Sequence, residues 1–214
     1  MIHHISLKYG AFWFMDKNLF SNEAIFQKCQ SHIQEELKRT KEEFILEHYK
    51  KYSDPDMPPV WKTLEVITFG TLSKLYCNLK DNSIKKKIAK EFYLPQHIIL
   101  ENWIKCAVVL RNYLAHHARL WNRNFPIIPQ TSKPFRKKWL NHQIPVTNKL
   151  YPHLCCLQYF LNSIKEDNFF KERLKVLIAN HPNVDIAAMG FPADWEKEPL
   201  WEGRANGLVL LSPL

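Results

Sequence analysis

The sequence LRNYLAHHARLWNRNF, which runs from Leu110 to Phe125, has the periodicity of an amphipathic α-helix. At about 100° per residue, one arc of roughly 140° holds Arg111, Asn122, Ala115, Arg119, Asn112, Arg123 and His116. The opposite side carries Leu120, Tyr113, His117, Trp121, Leu114 and Ala118. The polar arc contains three arginines and no acid, so its charges are not paired along the helix. The stretch therefore predicts a helix with one packed face and one anion-binding face.

Length and charge limit the classes of protein to consider. The 214 residues predict a single domain over 1–214, with two small domains as the alternative. The formal net charge of +9 favours an acidic partner, nucleic acid before an anionic membrane. No apolar run approaches the roughly 20 residues of a membrane span, and the first residues lack the features of a signal peptide. We expect a cytoplasmic protein that does not interact with a membrane.

Cysteine and histidine spacing does not favour a metal site. The odd number of cysteines and the lack of a C-x-x-C pair predict reduced, mostly buried thiols; they are Cys29, Cys77, Cys106, Cys155 and Cys156. Adjacent histidines on a helix, as at His116 and His117, point about 100° apart and do not easily share one metal. His153 near Cys155 and Cys156 has no recognised zinc spacing. We expect no metal and no cofactor.

Helical periodicity recurs along the chain and persistent strand alternation does not, so the predicted class is all-α. Residues 1–20 are aromatic-rich and predict a packed, irregular lead-in. Predicted helices follow at residues 21–37 with Ser21 as N-cap, 41–52, 59–79, 83–92 with Ser83 as N-cap, from Pro95 unbroken to Trp121, 150–164 and 169–178. Gly70 within the third of these predicts a close helix–helix approach.

Two irregular segments complete the predicted architecture. Residues 126–145, PIIPQTSKPFRKKWLNHQIP, form a proline-rich basic excursion that contains Arg136, Lys137 and Lys138. Residues 189–201, MGFPADWEKEPLW, contain too many prolines for a helix and predict an aromatic-rich tail packed on the bundle.

Arg111, Asn112 and His116 suggest phosphodiester chemistry without a metal. Arg111 and His116 lie about 140° apart on a helix and would flank a groove, while Asn112 lies four residues before His116 and could orient its ring. An imidazole can deprotonate an RNA 2′-OH or protonate the leaving 5′-oxygen, and a guanidinium stabilises charge on the phosphorane. DNA lacks the 2′-OH and would be spared.

The same stretch carries a family resemblance. R-N-x-x-x-H at Arg111–His116 resembles the R-x4–6-H signature of HEPN-domain ribonucleases and, more narrowly, the Abi-like (abortive infection, AbiD/AbiF-type) proteins of that superfamily. PPVWKTLEVITFGTLSKLY, residues 58–76, and the tail at 189–201 are also similar to that family, so the resemblance covers about Tyr9 to Trp201. Arg136 and His142 form a second, looser match without the flanking residues.

The resemblance implies a HEPN-like helical bundle and a metal-independent endoribonuclease that leaves a 2′,3′-cyclic phosphate. It implies a toxin of antiviral defence, a composite site in a homodimer, RNA as the partner and an antitoxin protein or RNA as a restraint. Arg111, His116 and Asn112 take the catalytic positions and Glu65 the acidic position of the upstream block. His117, Arg119, Asn122 and Arg123 take supporting or phosphate-binding positions. Abi-like proteins carry helices before the segment that matches Tyr9, so we expect a shortened bundle.

Other interpretations of the same residues remain open at this stage. The chain could be a non-catalytic RNA- or nucleotide-binding module, a truncated inactive member of the family, or an interaction protein that buries its polar face in an oligomer. Glu65 could be an exposed acid or the partner of an arginine. Arg119 and Arg123 could bind acids of neighbouring helices, and His116 or His117 could be structural. Core or dimer contacts are expected for Tyr113, Leu114, Leu120 and Trp121.

Overall fold

The helices of the chain account for almost all of its regular structure. The computed structural model describes residues 1–131, 135–141 and 147–202. These residues contain no strand, only an isolated bridge between Phe20 and Leu79, so the all-α prediction is confirmed. Their α-helices are α1 (Ile2–Tyr9), α2 (Glu23–Arg39), α3 (Glu43–Lys51), α4 (Val60–Val66), α5 (Phe69–Asn78), α6 (Asn82–Glu91), α7 (His97–Ala115), α8 (Leu150–Ile164) and α9 (Phe170–Ala179).

The chain divides into two compact units. The first comprises Met1–Asn112 with Gln130–Pro134, and the second comprises Tyr113–Pro129 with Phe135–Leu214. The division falls within α7, after Asn112. The expectation of one domain stays a prediction.

The first unit is built around α2 and α5. Apolar residues at helical spacing give α2 a buried face, which consists of Phe26, Cys29, Ile33 and Leu37. This face packs against α5, whose Leu75 and Tyr76 are buried. The helix begins one residue later than predicted, because the Asn22 carboxamide accepts a hydrogen bond of 2.9 Å from the Ile25 N–H. Ser21 as N-cap was therefore wrong.

The first twenty residues are more regular than predicted. Ile2–Tyr9 forms α1, which packs against α6, and Ile5 is fully buried. Short 3₁₀ turns follow at Trp13–Met15 and Lys17–Leu19. The aromatic count obscured an eight-residue helix that is stabilised by tertiary contacts, as short helices generally are.

The predicted long helix from Pro59 to Leu79 is two helices. It stops at Val66, and Thr68 begins α5 by accepting a hydrogen bond of 3.1 Å from the Thr71 N–H. Threonine provides this cap because its hydroxyl can accept from a free N–H of the first turn.

Asp81, not the predicted Ser83, caps α6. Its carboxylate accepts from the backbone N–H groups of Ser83 and Ile84, at 2.8 and 3.2 Å. It also accepts from Lys8 and Tyr9 of α1, at 2.7 and 2.8 Å. The Lys8 ammonium, followed by the Ser83 hydroxyl, holds the pKa of the Asp81 carboxyl well below its usual range. One carboxylate thus both starts α6 and attaches α1 to it.

We expect Asp81→Ala to destabilise the protein by about 1–2 kcal/mol at pH 7, because it removes a helix cap and its hydrogen bonds to three side chains, those of Lys8, Tyr9 and Ser83. The folded pKa lies below the unfolded value, so the carboxylate contributes stability above about pH 4 and loses it as the pH falls towards the folded pKa. Urea unfolding from pH 7 to 3 should therefore show a smaller acid-induced loss in Asp81→Ala than in wild type. Asp167→Ala, an exposed aspartate, is the control and should follow the wild-type curve.

Lys85 in α6 is a buried structural lysine. Only 4% of its surface is exposed, and its Nζ lies 3.0 Å from Glu101 Oε1 and donates to the Cys77 carbonyl at 2.8 Å. The four lysines of α6 are therefore not all available to an anion. Lys86, Lys87 and Lys90 of the same helix are exposed.

The second unit packs aromatic side chains between α8 and the tail. Tyr151 of α8 contacts the rings of Phe191 and Trp201, and the Trp201 indole donates to the Tyr151 hydroxyl at 3.2 Å. Trp195 packs against both tail aromatics. The helix predicted at 150–164 and the packed tail are confirmed, and α9 is shifted by one residue from 169–178.

The proline-rich excursion contains no helix in its described parts, 126–131 and 135–141. Two of its basic residues pair with acids: Lys137 Nζ lies 2.6 Å from Glu166 Oε1 and Lys138 Nζ lies 3.5 Å from Glu202 Oε2. His142 of the second R-x5-H match lies outside the described residues.

The described residues contain neither a disulfide nor a helix that could span a membrane. All five cysteines are free thiols and four are buried, as predicted; burial raises the pKa of Cys106 to about 12. No helix within the described ranges combines the length and apolar character that crossing a bilayer requires.

Two glycines provide a matched test of backbone constraint. A Cβ on Gly70 would lie 3.9 Å from Val108 Cγ1, an ordinary contact, so the predicted close approach that would require glycine is absent. Gly190 has φ +85° and a Cβ there would lie 2.9 Å from Lys149 Cβ.

We expect Gly70→Ala to be neutral or to stabilise the protein by up to about 1 kcal/mol. Gly190→Ala should destabilise by about 1–3 kcal/mol, as measured by urea unfolding at pH 7. Equal midpoints for the two variants would contradict this assignment.

Candidate active site

The helix that carries the motif ends within it. α7 stops at Ala115, so the helix predicted to continue to Trp121 was wrong. His117 has a left-handed backbone with φ 50°. The His117 N–H bonds to the Leu114 carbonyl at 3.0 Å and the Ala118 N–H to the Tyr113 carbonyl at 2.8 Å. This pair of bonds is a Schellman motif, which satisfies the free carbonyls at a helix C-terminus.

The termination changes how the polar residues are arranged. The helical wheel applies to Arg111 and Asn112, but Arg119, Asn122 and Arg123 belong to a non-helical segment. Asn122 is a second left-handed residue, with φ 48°. Histidine and asparagine tolerate this conformation better than most residues. The segment 116–125 therefore presents its side chains from a loop and not from one helix face.

Arg111 and Asn112 lie at the end of the first unit. Both side chains are exposed, and Arg111 Nη1 donates to Asn112 Oδ1 at 3.3 Å. This carboxamide oxygen is thus engaged by the guanidinium. The expectation that Asn112 orients the ring of His116 stays a prediction.

His116 lies in the second unit at the cap of α7. Its side chain is exposed and makes no hydrogen bond or ion pair within the described part of that unit. His116 is therefore neither a buried core residue nor a side-chain cap. An exposed imidazole is free to exchange protons with a bound substrate.

Trp121 and Phe125 attach the segment after His117 to the rest of the second unit. The Trp121 indole donates to the Asp185 carbonyl at 3.1 Å. Phe125 is buried, with its ring centroid 4.2 Å from that of His153, and its N–H donates to the Asn148 carbonyl at 2.7 Å. The loop therefore has a defined path over the second unit. Core or dimer contacts were expected for Trp121 and Leu114. Both are exposed, Trp121 with 41% of its surface, so they are not core residues and a dimer contact stays a prediction.

The two arginines of this loop are available to an anion. Arg119 is exposed and Arg123 is half-buried, with its Cζ 4.2 Å from the ring centroid of Tyr113. Neither forms an ion pair with any residue that the structure describes. The alternative that they bind acids of neighbouring helices is not realised there. Stacking on Tyr113 orients the Arg123 guanidinium without neutralising it.

Lys149 joins this loop and was not identified from the sequence. Its Nζ donates to Asn122 Oδ1 at 2.7 Å, across 27 positions of the chain. No spacing rule relates these residues, because the contact depends on how residues 147–149 return towards the loop. Asn122, for which the family resemblance implies a supporting position, thus also accepts a hydrogen bond from a lysine.

Glu65 is an exposed acid of the first unit. It lies in α4 beside a cleft that also contains Glu36, Arg39 and Glu42, and it forms no ion pair among the described residues. Arg39 pairs with Glu36 at 2.6 Å. Of the two alternatives for Glu65, an exposed acid or the partner of a motif arginine, the structure therefore supports the exposed acid. A functional role for Glu65, at the acidic position of the upstream family block, stays a prediction.

The histidines and cysteines do not assemble a metal-ligand set where the structure describes them. His153 Nδ1 contacts the Lys149 carbonyl oxygen at 3.1 Å, and burial lowers the pKa of His153. Burial raises the pKa of the Cys155 thiol, which disfavours the thiolate that a metal would bind. The residues near His153 therefore serve packing beneath the loop.

His117 provides a stability test of the cap. Glycine adopts the left-handed conformation without the clash that a Cβ introduces, so His117→Gly should stabilise the protein by up to about 1 kcal/mol in urea unfolding. His181→Gly, at an exposed histidine whose φ is not positive, is the control and should destabilise it. A loss of stability in both variants would contradict the cap assignment.

Comparison with known proteins identifies one family. A family model described as Abi-like protein matches residues 1–122, more than half of the 214 residues. The matched range includes Glu65, Arg111, Asn112 and His116, whereas the tail at 189–201 lies outside it. No curated protein and no solved structure matches the chain.

Proposed function

We propose that this chain, which belongs to the Abi-like protein family, is a metal-independent endoribonuclease of the HEPN type. The family is associated with abortive infection, a form of phage defence. In this proposal the protein acts in the cytoplasm as a toxin on cellular RNA, and an antitoxin protein or RNA restrains it.

One observation carries the proposal. Arg111 and His116, in the spacing of the R-N-x-x-x-H string, both have exposed side chains, and His116 has no partner in the described part of its unit. A buried structural histidine uses its ring nitrogens in hydrogen bonds within the protein, and His116 is not such a residue. Exposure leaves both groups within reach of a bound RNA strand, as acid–base catalysis and phosphate binding need.

The chemistry follows from these two groups. The RNA 2′-oxygen attacks the adjacent phosphorus and its proton passes to a neutral imidazole. The bond from phosphorus to the 5′-oxygen breaks, and that oxygen receives a proton from an imidazolium. Arg111 stabilises the charge on the phosphorane oxygens. The products are a 2′,3′-cyclic phosphate and a free 5′-hydroxyl, and no metal is required to balance the reaction.

A homodimer would supply both protonation states. One imidazole cannot be the neutral base and the protonated acid at the same moment, so two copies of His116 would divide these roles. We therefore propose a composite site with the R-N-x-x-x-H string contributed by each of two chains. A monomer at micromolar concentration in analytical ultracentrifugation, with full activity, would contradict this arrangement.

A non-catalytic RNA- or nucleotide-binding module is the second candidate function. It is favoured by Arg119, Arg123 and Lys149, which lack acidic partners in the described structure. Such cations can hold phosphate groups whether or not the strand is cleaved. This candidate predicts salt-sensitive RNA binding without products.

The deciding experiment is RNA cleavage in EDTA, followed by analysis of the product ends. We expect wild-type protein to release 2′,3′-cyclic phosphate ends and to leave DNA intact. His116→Ala should reduce the rate by about 100-fold or more, and Arg111→Ala should also reduce it by about 100-fold. The matched control is His181→Ala, an exposed histidine of the same unit, which should retain the wild-type rate.

Two outcomes would reject the proposed mechanism. Cleavage that needs added Mg²⁺ would assign the reaction to another mechanism or to a contaminant. Cleavage that persists in His116→Ala would remove the proposed acid–base group. Binding without cleavage by the wild type would support the second candidate.

A further inference from the structure

Lys149 is fixed relative to the motif loop by a direct contact. Its Nζ donates to the Asn122 carboxamide oxygen at 2.7 Å, and Asn122 directly precedes Arg123. The left-handed backbone of Asn122 sets the direction of this carboxamide. A lysine remote in sequence is thereby placed beside the loop that contains His116, Arg119 and Arg123, all within the second unit.

The backbone of Lys149 is constrained as well. Its N–H donates to Thr147 Oγ1 at 3.0 Å. On the other side, Gly190 approaches so closely that a Cβ at residue 190 would lie 2.9 Å from Lys149 Cβ. A lysine that only solubilises a surface does not need contacts of this kind. These contacts fix the backbone and the Cβ of Lys149, and the hydrogen bond to Asn122 places its ammonium group.

The ammonium lacks an acidic partner, in contrast to several lysines of the same unit. Ion pairs neutralise Lys137 with Glu166, Lys138 with Glu202, Lys175 with Glu196 and Lys197 with Asp194. Lys149, Arg119 and Arg123 form none with the described residues. Other cations of this unit, such as Lys165, also form no ion pair with the described residues. Lys149 differs from them because its contact with Asn122 places it at the loop of Arg119 and Arg123, where the three cations are open to an external anion.

The position of Lys149 is also unfavourable for stability in the absence of an anion. It is the N-cap of the 15-residue helix α8, whose first turn contains no acid. A cation at the positive end of a helix is repelled by the helix dipole, and lysine has no acceptor that could cap the free N–H groups. A serine or aspartate would suit this backbone better, with φ −89° and ψ 178°.

We propose that Lys149 binds a phosphate of the RNA strand, through a hydrogen bond from Nζ to a phosphate oxygen, while Asn122 orients the ammonium group. This inference rests on the proposed RNA-directed function and adds a binding residue to it. Lys149 acts in positioning the strand and not in proton transfer, so its loss weakens binding more than it slows the chemical step at saturating RNA.

The test measures binding of a short single-stranded 2′-O-methyl RNA, which cannot undergo attack by its 2′-oxygen. Lys149→Ser should weaken binding by about tenfold, the effect of losing one charge-assisted hydrogen bond at an accessible site. The slope of log affinity against log salt concentration should fall by about 0.7, the value for one phosphate contact of a single strand. Lys149→Arg keeps the charge and should retain most of the affinity.

The matched control is Lys165→Ser, which makes the same change at the other end of α8, where Lys165 is exposed. It should leave affinity and salt slope unchanged. Since serine is a preferred N-cap, Lys149→Ser should not lower the melting temperature. A weaker affinity at an unchanged or higher melting temperature then cannot be due to unfolding.

The outcomes separate this inference from the proposed function. Wild-type affinity in Lys149→Ser, or an equal loss in Lys165→Ser, would overturn the role of Lys149 even if the chain cleaves RNA in EDTA. Loss of binding in Lys149→Ser alone would support it, even if the wild type binds RNA without cutting it. A wild-type chain that does not bind the RNA would overturn both.

Discussion

The left-handed turn at His117 is the constraint on which the arrangement of the motif depends. It ends α7 through two hydrogen bonds to Tyr113 and Leu114, and it sends the chain into a loop instead of another two helical turns. Without it, Arg119 and Arg123 would extend a helix. With it, Trp121 reaches the Asp185 carbonyl and Phe125 becomes buried against His153. The path of the loop is therefore determined by the left-handed conformation of His117 and by the contacts of the aromatic residues together.

Helical spacing predicted what lies inside the helices better than where they end. The buried face of α2 and the bounds of α8 follow directly from apolar periodicity. Periodicity did not indicate the break at Thr68 or the end of α7, because the residues on both sides of each remain compatible with a helix. Both ends are decided by hydrogen bonds to particular backbone groups, those of Thr71 and of Tyr113 and Leu114. Glycine, the usual residue after a helix, is absent at position 117, so composition did not indicate that terminus.

The candidate site shows the same division between local and non-local information. Residue types and spacing indicated Arg111 and His116, since these depend on neighbours in sequence. Lys149 depends on a contact across 27 positions and on the space left by a glycine 41 residues further on. The sequence also could not show which cations form ion pairs: Lys85 is the first of three consecutive lysines and is buried against Glu101. Net charge therefore counted buried, paired cations as if they were available to an anion, and it did not indicate which cations remain unpaired.

The contact between Gly190 and Lys149 has a consequence for sequence variation among relatives. Because a Cβ at position 190 would collide with the Cβ at position 149, the two positions cannot change independently. A relative with a side chain at 190 must also move the residue before α8 or carry a glycine there. The pair should then appear as covarying columns that link the MGFP segment to the start of α8. In evolutionary terms, the tail and the start of α8 would be inherited as one unit.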